Sequence, residues 1–277
     1  MFTFSQYSPD HFFLNFSEGD LQKWKQKNSV PFDSSFYHVW NKRKKNIIYI
    51  ALVEKKIKNT SSMLNKIFKS KNLDIALLPN IDNEEGVNPS LNLEDISLEE
   101  KEIIDIIKKY NVPYIGYIGD DETFIKIALK KFLPKDILLF MFLFLYQYCE
   151  KNLKKDVKFF SQMIKDIMPN YQKFVEKEER EEKLGKLNYN ELFKNYYGFY
   201  FNYGVTSVKL IKPNKDSKYS IKLLSYVHMV ENNKFTLKIL FKHINEYNNI
   251  VIIGKQEDYY IQKDVLSEEF GKGNIYI

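Results

Sequence analysis

The sequence predicts an α/β protein: a mainly parallel sheet flanked by helices, with an N-terminal aromatic-rich strap and helical insertions. Three observations carry that reading. Short Ile- and Leu-rich runs, such as Asn46–Val53 and Leu73–Leu78, are continuous rather than alternating and are bounded by charge, the pattern of strands buried on both faces. Amphipathic segments of helical period separate them, giving a β-α-β opening whose crossover should be right-handed. The closing stretch, from Val227 to Gly271, reads as an amphipathic helix, a buried strand and a Gly turn into another helix, an arrangement at which α/β proteins place sites. One α/β domain over 1–277 is expected, divided into the strap (1–45), the β-α-β core (46–149), a helical insertion with an irregular segment (150–225) and the closing α-β-α segment (226–277).

In chain order, residues 1–45 gather aromatics, among them Phe12, Phe16, Trp24, Phe36 and Trp40, with no clear period. A short helix is expected at 18–27, with Ser17 as cap and Leu21 and Trp24 on one face. Lys42-Arg43-Lys44-Lys45 reads as a solvated turn. Strand 46–53 follows, then a helix over 61–70 with Met63, Leu64, Ile67 and Phe68 on one face, then strand 73–78. After a polar loop, Ser97 and Glu100 form a capping box for a helix running to about Tyr110. Val112–Ile118 is the third strand, and Gly119-Asp120-Asp121 turns into a helix over 121–132, with Asp120 and Asp121 read as a cap.

Pro134 opens the most apolar helix, 134–151, and an amphipathic surface helix follows within 150–183. Another helix spans 188–197 and stops at Gly198. Residues 199–225 read as a β-hairpin or a loop. The chain closes with helix 227–246, strand 249–254, helix 258–269 and a terminal strand at 274–277.

Composition narrows the function classes. Hydrophobic side chains make up 44% of the chain, enough for a core, which excludes wholesale disorder. The formal net charge of +6 invites nucleic acid or an anionic membrane, but only Arg43 and Arg180 among the 42 basic residues are arginine. Nucleic-acid readers exploit the planar guanidinium fork, so a nucleic-acid partner is not favoured. The Lys, Asn, Ile, Tyr and Phe usage is that of an AT-rich genome. Cys149 is the only cysteine, so no intrachain disulfide forms, as suits a reducing compartment. The run Ile137–Tyr148 is too short to span a bilayer, and the N-terminus lacks a basic n-region. A soluble cytoplasmic protein with no membrane span is expected.

Familiar chemistry is hard to find. His11, His38, His228 and His243 form no pair at metal-ligand spacing, so a zinc site of His and Cys is not expected. Neither a G-x-x-x-x-G-K phosphate loop nor G-x-G-x-x-G occurs, and there is no G-x-S-x-G nucleophile elbow. No cofactor is expected.

Several segments nevertheless resemble one family. These are Ile47-Ile48-Tyr49-Ile50, Asp74-Ile75-Ala76-Leu77-Leu78, the helix at Glu99–Lys109 leading into Val112-Pro113-Tyr114, Phe132–Leu138, and the closing stretch. Their order and texture look like the TraB/ChaN/erythromycin-esterase-like superfamily, which includes haem-binding lipoproteins, ester hydrolases and metal-dependent peptidases. Much of 46–175 and 227–271 is covered.

The resemblance implies functional positions that this chain has replaced. Where the family shows Gly-x-x-His after the first strand, Leu52-Val53-Glu54-Lys55 stands here; where it shows Glu after the second, Pro79 follows Leu78. An Arg-Asp pair of the closing helix becomes Glu231-Asn232, and the last Gly-x-x-His becomes Gly254-Lys255-Gln256-Glu257. Both histidines that would act as base or ligand near neutral pH are gone. The candidate pocket is therefore Glu54, Lys55, Glu231, Asn232, Lys255 and Glu257, with no catalytic and no metal residue assigned.

A non-catalytic, divergent superfamily member acting through a protein partner is expected, with the aromatic segments 1–40 and 193–203 as contact candidates and core packing as their ordinary alternative. Two other readings stay open. One is a metal-dependent hydrolase in which Glu54, Glu231 and Glu257 hold a hard divalent ion. The other is a lysine-rich nucleic-acid binder, whose affinity would fall steeply with salt.

Overall fold

The computed structural model describes residues 18–31, 34–53, 57–79, 98–117, 121–153, 156–179, 184–185, 187–214 and 217–277. By internal contact the chain divides into two compact units, residues 1–119 with 230–277, and residues 120–229.

The first unit is built on a six-stranded, mostly parallel sheet, as the fold class requires. Its strands are β1 (Phe36–Lys42), β2 (Lys45–Leu52), β3 (Ile75–Pro79), β4 (Tyr114–Tyr117), β5 (Asn249–Lys255) and β6 (Asn274–Tyr276), in the order β4-β3-β5-β2-β1-β6. β4, β3, β5 and β2 are parallel; β1 and β6 are added antiparallel. Helices α1 (Glu18–Lys27), α2 (Ile57–Ser70) and α3 (Leu98–Lys109) belong to this unit.

The parallel strands are apolar end to end because both faces are covered. Ile48, Ile50, Ala76, Leu78, Val251 and Ile253 meet Leu64 and Ile67 of α2 and Ile104 and Ile107 of α3. The alternate residues Ile47, Tyr49, Leu77, Ile250 and Ile252 meet a second cluster that includes Leu237, Leu240, Tyr259 and Leu266. Those last four lie on α8 (Ser220–His243) and α9 (Gln256–Phe270). Burying one such Leu or Ile contributes roughly 1.5–3 kcal/mol. Asp74 ties the sheet at its lower end: its Oδ2 accepts the backbone N–H groups of Asn248 and Asn249, each at 2.8 Å.

β1 corrects the irregular strap. Residues 36–42 pair in register with 45–51, Trp40 facing Ile47 and Phe36 facing Ala51. Two facts hid the strand. Phe36 and Trp40 join the cluster of α8 and α9 while Tyr37 and Val39 join that of α2 and α3, so both faces are apolar and no alternation shows. The connecting turn is Arg43-Lys44, with φ of +50° and +67°. Two-residue hairpin turns with both φ positive normally use Asn-Gly or Asp-Gly, and Arg-Lys carries no such signature. Phe36 and Trp40 are fully buried, so this part of the strap is core and not a contact surface.

The second unit is helical. It holds α4 (Asp121–Leu129), α5 (Pro134–Gln147), a π-helical turn (Tyr148–Leu153), α6 (Val157–Glu179) and α7 (Tyr189–Tyr197). A 3₁₀ turn (Val208–Ile211) and residues 220–229 of α8 complete it. α5 is its axis: Ile137–Leu143, Leu145 and Tyr146 are all buried. α7 begins where Asn188 Oδ1 accepts from the Asn190 and Glu191 N–H groups, and it ends at Gly198, whose φ of +82° an L side chain rarely adopts.

The segment 199–225 is not a hairpin. The Asn202 N–H bonds to Thr206 Oγ1 at 2.8 Å, and the Tyr146 hydroxyl donates to the Thr206 carbonyl at 2.7 Å. Local and side-chain partners thus satisfy the backbone that a ladder would have used. α8 starts at Ser220 rather than 227, because Ile221 and Leu224, at i, i+3 spacing, are both fully buried in the unit's core. Among the described residues, no helix is long and apolar enough to cross a membrane.

Candidate functional site

The strand order locates where a site would lie. β2 and β3 lead into α2 and α3, which pack on one face, whereas β5 leads into α9 on the other. The carboxyl end of β5, between β2 and β3, is therefore the point at which connections diverge to opposite faces, and there open α/β sheets form a crevice. Lys255 and Glu257 sit there, both exposed, at the start of α9. Glu54 and Lys55, which follow β2, lie outside the described residues, as do 80–97 after β3 and the proposed caps Ser17, Ser97 and Asp120.

The other two candidates are on α8. Glu231 Oε1 pairs with Lys234 Nζ at 2.6 Å, an i, i+3 ion pair. The Asn232 carbonyl accepts from Thr236 Oγ1 at 3.1 Å. Their neighbours link α8 to α9. Asn233 Nδ2 donates to Asp258 Oδ1 at 2.9 Å, and Gln262 Nε2 donates to Asn233 Oδ1 at 2.6 Å. Asn233 and Gln262 are each 1% exposed, so this is a buried amide relay. Asp258, in the first turn of α9, also complements the positive end of that helix. Nothing in the sequence singled out Asn233, Asp258 or Gln262; their i, i+4 spacing on α9 and their register against α8 emerge only on folding.

A second polar feature lies on the same face of the sheet. His38 of β1 places Nδ1 2.7 Å from the Tyr259 hydroxyl of α9, and its ring stacks on Trp40 with centroids 3.7 Å apart. Its Nε2 faces Gly273, where an added Cβ would come within 2.4 Å. Burial lowers the imidazole to about 4 and raises the Tyr259 hydroxyl above its ordinary value. Both groups are neutral at pH 7. They form a buried core pair.

In the second unit, Asp121 at the start of α4 joins two partners. Its Oδ2 accepts from the Tyr171 hydroxyl of α6, and its Oδ1 lies 3.7 Å from His228 Nε2. The His228 ring sits among Phe124, Phe140 and Phe144, with centroids 4.9, 5.6 and 4.6 Å away. Burial, then the Asp121 charge, raise the Tyr171 hydroxyl well above its ordinary range. Tyr, Asp and His converge here, with the His228 ring among three phenylalanines. The arrangement fastens α4, α6 and α8 together within this unit.

Cys149 is buried, with its Sγ 3.5 Å from Met163 Sδ, and burial pushes the thiol up to about 11, so it is not a nucleophile at neutral pH. Among the described residues, no three His, Cys, Asp or Glu side chains gather to hold a metal ion. No family model, no curated protein and no solved structure matches the chain.

Proposed function

We propose that this chain is a non-catalytic protein that acts through contacts with another protein, on a scaffold like that of the TraB/ChaN/erythromycin-esterase-like superfamily. The carrying observation is the segment after α7. Phe199, Tyr200 and Val205 are 50%, 56% and 75% exposed on a turn cross-braced by its own hydrogen bonds. Exposed aromatics held on a rigid support are what protein interfaces use, because little entropy is lost on docking. Of the candidate pocket residues, Glu231 on α8 is paired with Lys234 and Glu257 at the start of α9 is exposed.

The test places a photo-activated cross-linking side chain at Tyr200, and separately at Glu257, of the full chain in its native cells. Discrete protein adducts at Tyr200 and none at Glu257 are expected. In parallel, the purified chain is melted with divalent metals, haem and nucleotides, since any ligand of the native state raises its melting temperature. A rise of several degrees that disappears in Glu257→Ala would overturn the proposal in favour of a carboxylate-based hydrolase.

A further inference from the structure

The segment that carries that turn is rich in lysine, while Glu150 and Asp156 lie near its Tyr203. Residues 193–222 contain six lysines against one acidic residue, Asp216, and no arginine. Two lysines lie against exposed tyrosines: Lys194 Nζ donates to the Tyr200 hydroxyl at 2.6 Å, and Lys218 Nζ lies 5.4 Å from the Tyr219 ring centroid. Tyr219 is itself 49% exposed. The two Lys–Tyr pairs belong to one corner of the helical unit. The Tyr196 hydroxyl lies 3.0 Å from Ser220 Oγ and accepts the Ile221 N–H at 3.2 Å, which holds the end of α7 against the start of α8. Phe199 is braced from below by an edge-on contact with the fully buried Phe193, centroids 5.4 Å apart.

We propose that this corner is a docking site for an acidic segment of a partner protein, one carrying Asp or Glu interspersed with large apolar side chains. The assignment rests on the protein-contact reading above and names the partner's chemistry. An ammonium held beside a tyrosine is positioned to meet a carboxylate while the tyrosine ring and Phe199 accept an apolar neighbour. Single-stranded nucleic acid fits less well. The guanidinium groups that favour such binding are missing from residues 193–222. A lipid surface also fits less well, because interfacial anchors present one continuous apolar helix face, whereas here hydroxyls and lysines interrupt a braced turn.

The experiment is fluorescence anisotropy with the full chain and a labelled Glu-rich peptide carrying Leu and Phe. The comparison probes are a Lys-rich peptide with the same apolar residues, oligothymidylate, and phosphatidylserine vesicles. The acidic peptide should bind, more weakly at physiological than at low salt. The Lys194→Glu/Lys218→Glu variant should weaken it by about tenfold, and Phe199→Ser by about fivefold. Phe199 and Lys218 are exposed and Lys194 is half-buried, and unchanged melting curves would show that the variants fold. Absence of acidic-peptide binding, tighter binding of oligothymidylate or vesicles, or unchanged affinity in both variants would overturn the proposal. Tyr200 cross-links that survive the lysine reversals would sink the acidic partner yet leave the protein-contact reading standing. Absence of any Tyr200 adduct in the wild-type chain would sink both.

Discussion

Acid should unfold the sheet-bearing unit through His38. The ring is 7% exposed, sits against Trp40, Tyr259 and Gly273, and has its affinity for a proton lowered from 6.5 to about 4. Between those values the unfolded chain takes up a proton that the folded chain refuses, so stability is fully present above about 6.5 and falls as the pH drops towards 4. At pH 5 the ordinary value lies one and a half units above the pH, which is worth about 2 kcal/mol at 1.36 kcal/mol per unit. Solvent screening at the open edge of the ring reduces this, so a loss of about 1–2 kcal/mol relative to pH 7.5 is expected from this residue alone.

The assay is urea unfolding at the two pH values, followed by tryptophan fluorescence. Both tryptophans, Trp24 and Trp40, lie in this unit, so the signal reports on it directly. His38→Gln keeps an amide that can bond Tyr259 but removes the titration. Every other group titrates alike in the two proteins and cancels in the difference. Equal losses of stability between pH 7.5 and 5 in wild type and His38→Gln would refute the reasoning.

Other substitutions follow from the same geometry. Arg43→Asn with Lys44→Gly should stabilise the β1–β2 hairpin by about 1–2 kcal/mol, because left-handed backbone costs an L side chain roughly that much per residue; an unchanged urea midpoint would count against it. Gly273→Ala should destabilise by about 1–3 kcal/mol, since its Cβ would come within 2.4 Å of both His38 Nε2 and the Val39 carbonyl; chemical denaturation would reveal it, and wild-type stability would mean that β6 sits elsewhere. Asp74→Ala should cost about 1–3 kcal/mol by leaving the Asn248 and Asn249 N–H groups without their carboxylate, and amide exchange at the start of β5 should quicken if that contact holds the strand.

The class of this fold was legible in residues 46–53, 73–78 and 249–254, because a strand covered on both faces must be apolar throughout, and that requirement is written locally. Helix ends were legible for the same reason: Gly198 stops α7 through its own backbone freedom, and Pro134 opens α5. The expected Gly turn after β5 did not form: Gly254 is a residue of the strand, where the Tyr49 hydroxyl leaves no room for a Cβ, and α9 starts at Gln256.

What only the tertiary structure decided depends on residues far apart in the chain. β1 became a strand because α9 and β6, more than two hundred residues later, supply the partners of His38 and Val39. The buried relay Asn233–Asp258–Gln262 exists because α8 and α9 lie side by side, and Asp121 meets Tyr171 and His228 only once three helices close on it. Such pairings leave no trace in local periodicity. A side chain's chemistry is set by which neighbours exclude water from it, and those neighbours are chosen by the fold.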